Sequence, residues 1–100
     1  MFMSNPLLQS GKIRARVFVS GMVQGVGYRY STVNQARLMG VNGWVRNLPD
    51  SRVEAVFEGT PVQVDAMIRW CYDGSSAAVV KGVAVEYEPL EGIEGFEIRR

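Results

Sequence analysis

Length, composition and charge limit what this protein can be. The chain has 100 residues, enough for one domain with a single modest core and too few for two. Its 11 basic and 10 acidic residues leave a formal charge of +1, unlike a protein that binds chiefly nucleic acid or anionic membrane. The chain has no histidine and one cysteine, Cys71, which excludes an intramolecular disulfide, a thiolate metal cluster and a nucleophile paired with imidazole.

The first eleven residues differ in character from the rest. Residues 1–11 hold scattered apolar positions without a cationic start or a long apolar run, so we expect a disordered leader rather than a signal peptide. No stretch approaches the roughly 20 apolar residues of a membrane span. With one thiol and no export signal, the expected location is the cytoplasm. Residues 12–100 are predicted to form the single domain.

The first half of this domain has clear strand and helix patterns. Alternating apolar residues over Lys12–Ser20 predict a first strand with one buried face. A glycine-rich loop, Gly21–Gly27, follows it. Helical spacing over about Tyr28–Met39 then predicts a helix that Gly40 ends. The next segment, Val41–Leu48, has the composition of a second strand.

The second half has the same order of predicted elements: a strand, a helix and another strand. Turn residues 49–51 lead into a third strand through Val53, Ala55 and Phe57, which predicts a hairpin. Thr60-Pro61 is typical of a helix start. The second helix has one apolar stripe, formed by Val64, Met67, Ile68 and Cys71. A fourth strand follows through Val79, Val83, Val85 and Tyr87, and residues 96–98 predict a short last strand.

The order is therefore βαββαβ with a short additional strand. Two helices with one apolar face each can cover only one side of such a sheet. This predicts an α+β fold: a two-layer sandwich of ferredoxin-like type with a mainly antiparallel sheet and both helices on one face. Because this architecture hosts many unrelated functions, function has to be argued from the site.

The segment between the first strand and the first helix has the features of an anion site. A glycine-rich turn exposes backbone N–H groups, and the helix after it adds unpaired N–H groups and the positive end of its dipole. Arg29, in the first helical turn, can bind the same anion through two N–H groups. The glycines and Arg29 are equally consistent with a plain tight turn and a solvated charge. Cys71 lies on the apolar stripe of the second helix and is predicted to be a buried core thiol.

Two stretches of sequence resemble the signature motifs of one family. The run Gly-Met-Val-Gln-Gly-Val-Gly-Tyr-Arg at residues 21–29 resembles the first motif of the acylphosphatases, and Gly-Trp-Val-Arg-Asn at residues 43–47 resembles their second. A Phe-x-Ile-Arg ending completes the likeness, which runs from about Lys12 to Arg100. Met22 stands where family members often carry an arginine, which removes a possible aid in steering anionic substrates.

The resemblance implies a specific reaction and specific residue roles. It implies hydrolysis of a small-molecule acyl phosphate to a carboxylate and inorganic phosphate, without a metal or other cofactor. Arg29 would bind the phosphoryl group, and Asn47 would orient the attacking water. The remaining phosphate contacts would come from the backbone amides of Gln24, Gly25, Val26, Gly27 and Tyr28. We expect a monomer that binds neither nucleic acid nor membrane.

Other interpretations remain open at this point. Arg14, Arg16 and Phe18 share the outer face of the first strand and could contact RNA, although Glu54 and Glu58 on the third strand would repel it. A non-catalytic domain that senses an anion would use the same loop.

Residues of the second motif also have structural interpretations. Asn47 stands where asparagine commonly forms a turn. We predict that Trp44 serves packing and that Arg46 is a solvated strand residue.

Overall fold

The computed structural model describes residues 11–100. The expected leader, residues 1–11, therefore lies outside the described residues except for Gly11. The elements are β1 (Ile13–Met22), α1 (Tyr28–Met39), β2 (Asn42–Asn47), β3 (Val53–Gly59), α2 (Pro61–Cys71), β4 (Val79–Glu88) and β5 (Phe96–Ile98). This confirms the predicted order. Neither helix of the described part is long and apolar enough to cross a membrane.

The five strands form one sheet in the order β4-β1-β3-β2-β5. β3 runs antiparallel to both of its neighbours, β1 and β2, and β1 runs antiparallel to β4. β5 is parallel to β2. The sheet is therefore mainly antiparallel, as predicted, and β1, β2 and β5 all end at the same edge. The loop after β1 lies at that edge.

One face of the sheet and the two helices enclose the core. Ala15, Val17 and Val19 of β1 are fully buried on this face, which follows from their period-two spacing. From the helices, the core receives the apolar stripes Tyr28, Val33 and Ala36 of α1 and Val64, Met67, Ile68 and Cys71 of α2. The arrangement is the predicted two-layer sandwich.

The opposite face of β3 is covered by side chains instead of helices. All seven residues of β3 are buried, because arginines from the neighbouring strands lie over its carboxylates. Arg14 pairs with Glu58 at 2.9 Å. Trp44, only 7% exposed, packs on this face, as predicted.

Arg46 is a strand residue with 40% of its side chain exposed, in line with the predicted solvated strand residue, and it is also ion-paired. Its Nε donates to Glu54 at 2.6 Å, and its guanidinium lies 5.3 Å from the Trp44 ring centroid. The sequence did not predict the ion pair, which forms because strand pairing places Arg46 directly opposite Glu54, an arrangement that cross-strand ion pairing favours.

β1 is longer than its alternation predicts. After a register shift at Ser20/Gly21, Gly21 and Met22 still pair with Val80 and Val79. A Cβ on Gly21 would lie 2.2 Å from the Val79 carbonyl oxygen, and its φ is 121°. Glycine at this position therefore permits a close approach of two strands, so the predicted loop shortens to residues 23–27.

Candidate functional site

The loop between β1 and α1 depends on glycine for its backbone conformation. Gly25 and Gly27 have φ values of 74° and 79°, in the left-handed region that glycine enters without penalty. No heavy atom lies within 4 Å of the position of a Cβ at either residue. The requirement for glycine is therefore conformational, and the loop surface here stays open.

The N-terminus of α1 has no side-chain cap. Gly27 occupies the N-cap position and supplies no side-chain acceptor, and the first turn contains no acidic residue. The Ser31 N–H donates to the Gly27 carbonyl at 3.0 Å. The earlier N–H groups have no intrahelical acceptor, as at every helix start. With the positive end of the helix dipole, they form a site suited to an anion.

The N-terminus of α2 is satisfied by its own side chains. The Thr60 hydroxyl accepts from the Gln63 N–H at 3.2 Å, and the Gln63 side-chain oxygen accepts from the Thr60 N–H at 2.9 Å. This is a complete capping box, with Pro61 at the start of the helix. Side chains thus cap the N-terminal N–H groups of α2, whereas no side chain caps those of α1.

Arg29 is also without a protein partner. Its side chain is half-buried, and it makes no hydrogen bond or ion pair within residues 11–100. The other half-buried arginines, Arg16, Arg46 and Arg52, each form an ion pair with a carboxylate. A guanidinium has five N–H donors, so Arg29 retains its full capacity to bind an anion.

These groups surround a pocket of about 170 Å³. Its lining comprises Val23, Gly25, Gly27, Tyr28, Arg29, Tyr30 and Ile98. The structure thus brings together four of the predicted phosphate-binding residues, Gly25, Gly27, Tyr28 and Arg29. Gln24 and Val26, which belong to the same predicted set, do not line the pocket.

The side chains around Gln24 and Val26 fix the shape of the loop. The Gln24 Nε2 donates to the carbonyl oxygens of Leu48 at 2.8 Å and Arg52 at 2.9 Å. The Val26 carbonyl accepts from the Ser75 hydroxyl at 2.8 Å. Gln24 therefore ties the loop to the turn between β2 and β3, and Ser75 ties it to the segment after α2.

The side chain of Tyr28 belongs to the core. It is 2% exposed, and its hydroxyl donates to the Cys71 carbonyl at 2.7 Å. Burial raises the pKa of the Tyr28 phenol far above its ordinary value. Only the backbone of Tyr28 is thus suited to an anion. Cys71 is fully buried, as predicted, and burial raises the pKa of its thiol to about 12, so it is no nucleophile.

Asn47 is the last residue of β2 and pairs with Val53. It lies on the helix-covered face of the sheet, since residues two apart in a strand share a face and Val45 is in the core. Its carbonyl oxygen Oδ1 is buried and has no hydrogen-bond partner among residues 11–100. Asn47 does not line the pocket, but the next residue, Leu48, contacts the loop through Gln24.

Three pocket residues, Val23, Tyr30 and Ile98, were not among the site residues predicted from the sequence. Val23 lies within the first motif and is buried. Tyr30 lies one residue beyond the motif that ends at Arg29, and it is 68% exposed. Ile98 comes from the far end of the chain and is 45% exposed. An exposed aromatic residue just after the motif is a weak sequence signal for Tyr30. Ile98 belongs to the Phe-x-Ile-Arg ending, but that ending does not mark it as a pocket residue, because only the pairing of β5 with β2 brings it to this edge.

Comparison with known proteins gives a consistent relationship. The profile of the Acylphosphatase family matches residues 15–98. An acylphosphatase from a species of Nostoc is 62% identical over 98 residues, which cover 98% of this chain and 97% of the relative. The similarity therefore includes both motifs and the helix between them.

Solved structures show the same relationship in three dimensions. The structure of an acylphosphatase from Coxiella burnetii has a TM-score of 0.87 at 32% identity, covering 91% of this chain and 96% of that one. The crystal structure of acylphosphatase from Bacillus subtilis has a TM-score of 0.86 at 34% identity, covering 88% of this chain and 99% of that one.

Proposed function

Because this chain belongs to the acylphosphatase family and hydrolyses acyl phosphates, we propose specific roles for its site residues. Arg29 and the backbone N–H groups of residues 24–28 hold the phosphoryl group. Asn47 orients the attacking water. The observation that carries this proposal is the set of unpaired donors at the N-terminus of α1, which lacks any capping side chain.

Phosphoryl binding follows from the charge and geometry of these donors. The donors are backbone N–H groups at the positive end of the helix dipole and the cationic guanidinium of Arg29, and both favour a phosphoryl dianion. Charge that develops on the equatorial oxygens during transfer meets donors that are already fixed in position, which is the main contribution a protein can make to this chemistry.

The unpaired oxygen of Asn47 supports its role with water. A buried carbonyl oxygen without a donor carries a free-energy cost of about 1–3 kcal/mol, which a hydrogen bond from a bound water would remove. The amide does not titrate, so Asn47 positions the water without acting as a base. The contact between Gln24 and Leu48 holds this end of β2 against the phosphate-binding loop.

The reaction needs no histidine. The water oxygen attacks phosphorus, and the bond from phosphorus to the acyl oxygen breaks with its electron pair on the departing carboxylate. The conjugate acid of that carboxylate has a pKa of about 4, so it leaves without protonation. In our proposal, the proton of the attacking water passes to a phosphate oxygen of the substrate. The protein supplies alignment and charge stabilisation.

The proposal extends to the setting in which the domain works. Residues 12–100 form the acylphosphatase domain, which acts as a monomer in the cytoplasm on small molecules, without a cofactor. The charges of the outer sheet face support the exclusion of nucleic acid: Arg14 and Arg16 are paired with Glu58, Glu54 and Glu88. Phosphate backbones would have to displace these carboxylates.

The test measures hydrolysis of benzoyl phosphate by ultraviolet absorbance, in buffer treated with a chelator. We expect turnover by the wild type to persist, Asn47→Ala to lose most of it, and Asn34→Ala to keep it. Asn34 is an exposed asparagine of α1 and serves as the matched control. Full turnover by Asn47→Ala would refute its role, and loss of turnover in the chelator would refute the metal-free mechanism.

A further inference from the structure

The pocket beside Arg29 has apolar walls beyond its glycines. Of its seven lining residues, only Arg29 is charged, and Val23, Tyr28, Tyr30 and Ile98 are apolar or aromatic. Val23 and Tyr28 are buried in the core. Tyr30 and Ile98 differ from them, because 68% and 45% of their surfaces remain exposed. Two large apolar side chains therefore remain open to solvent at the pocket wall.

Their positions come from two unrelated parts of the fold. Tyr30 is in the first turn of α1, one residue after Arg29. Ile98 is the last residue of β5, which pairs in parallel with Val45 of β2. The uncapped helix start and the edge strand thus contribute one apolar residue each to the same pocket. Packing of the core does not require either exposed surface.

The size and charge of the pocket limit what else it can hold. Its volume of about 170 Å³ is below the roughly 300–1,000 Å³ of sites for drug-sized ligands. A pocket of this volume can hold a phosphoryl group together with a single ring or a short apolar chain. Since Arg29 is the only charged lining residue, a second anionic group on the acyl portion would find no additional cation in this lining.

We propose that Tyr30 and Ile98 bind the acyl portion of the substrate. They would make the enzyme prefer acyl phosphates with an apolar or aromatic acyl group over acetyl phosphate. This inference rests on the proposed function, because a phosphoryl group held by Arg29 directs the acyl group toward these side chains. Contact with an apolar acyl group removes exposed surface of both residues from water, which is favourable. A methyl group is too small to gain the same contact.

The test compares kcat/KM for benzoyl phosphate and acetyl phosphate in wild type, Tyr30→Ala, Ile98→Ala and the double variant. We expect the double variant to lose about tenfold on benzoyl phosphate and less than about twofold on acetyl phosphate. Tyr30→Phe keeps the ring and should keep the preference. Leu38→Ala, at an exposed leucine of the same helix outside this pocket, should change neither rate.

The outcomes separate this inference from the proposed function. Equal losses on both substrates, or no loss on benzoyl phosphate, would overturn the acyl-binding role while wild-type turnover left the phosphate site standing. Unchanged inhibition by inorganic phosphate in the double variant, together with the selective loss, would support the role. A folded wild type that hydrolyses neither substrate would overturn the proposed function, and this inference with it.

Discussion

Within residues 11–100, several backbone N–H groups and an arginine come together at two places. In the first, the N–H groups of residues 91–93 donate to the Glu58 carboxylate at 2.9 to 3.1 Å. Arg14 donates to the same carboxylate at 2.9 Å. Glu58 is 2% exposed. The protein here supplies both the donors and the anion, and the result joins the segment after β4 to the centre of the sheet.

The second place is the start of α1. It has the same kinds of donor, backbone N–H groups and Arg29, but no carboxylate of the described residues binds them. At Glu58 and at the α2 capping box, by contrast, the protein itself supplies the acceptors. The difference supports our proposal that the α1 donors serve a ligand. We also expect substitutions at the two places to differ in effect: those at the start of α1 should lower activity, and those at Glu58 should lower stability.

The largest effect is expected on activity, from Arg29→Ala. Loss of a preorganised donor to the developing charge typically lowers turnover about 10²–10³-fold. The substitution removes no hydrogen bond or ion pair within residues 11–100, so the melting temperature should stay within about 2–4 °C of the wild type. The measurement is kcat/KM on benzoyl phosphate, inhibition by inorganic phosphate, and thermal unfolding. If phosphate inhibited this variant as strongly as the wild type, Arg29 would not bind the ligand, and the contrast with the Glu58 site would be contradicted.

Glu58→Gln should do the reverse. Removing one partner of a buried ion pair costs about 3–5 kcal/mol in the free energy of unfolding, here lessened by the oxygen that Gln retains. Turnover below the melting temperature should persist, because Glu58 is outside the pocket. Chemical denaturation at pH 7, with activity measured in parallel, tests both halves. If Glu58→Gln were as stable as the wild type but inactive, Glu58 would serve activity rather than stability, and the two places would not differ in role.

The stability contributed by Glu58 should also depend on pH. Burial opposes ionisation of this carboxyl, but hydrogen bonds from the backbone and Arg14 outweigh it and hold the pKa of Glu58 below its ordinary value of 4.5. Because the folded pKa is the lower one, the contribution is complete above pH 4.5 and is lost as pH falls through the folded pKa. The stability gap between wild type and Glu58→Gln should therefore shrink in acid.

The two places also differ in how far the sequence predicts them. The loop, α1 and the end of β2 follow from local patterns and motif resemblance, so the sequence alone is enough to propose Arg29 and Asn47. The Glu58 site could not be predicted in this way, because it joins β3 to residues 91–93 through strand pairing. Ile98 could not be predicted as a pocket residue for the same reason, since strand pairing brings it to the pocket. The two side-chain bonds of Gln24 also depend on how a turn distant in sequence packs against the loop.

A smaller effect is expected when the α1 donors are given a built-in anion. Gly27→Asp and Gly27→Asn both fit, since nothing lies within 4 Å of the added Cβ and both residues tolerate the left-handed conformation. The Asp carboxylate repels phosphate and competes for the N–H groups. We expect phosphate to inhibit the Asp variant about tenfold more weakly than the Asn variant, about 1.4 kcal/mol. Equal inhibition would show that these donors do not face the ligand.

The smallest effect should come from the other helix start. Thr60→Ala removes the hydroxyl of the α2 capping box, which costs about 1 kcal/mol and lowers the melting temperature by about 4–8 °C. Thr60→Ser keeps the hydroxyl and should stay near the wild type. Neither variant should alter kcat/KM or phosphate inhibition, because this cap serves only the helix. A fall in phosphate affinity with Thr60→Ala would mean that α2 stability reaches the site through Ser75, which follows α2 and bonds to the loop.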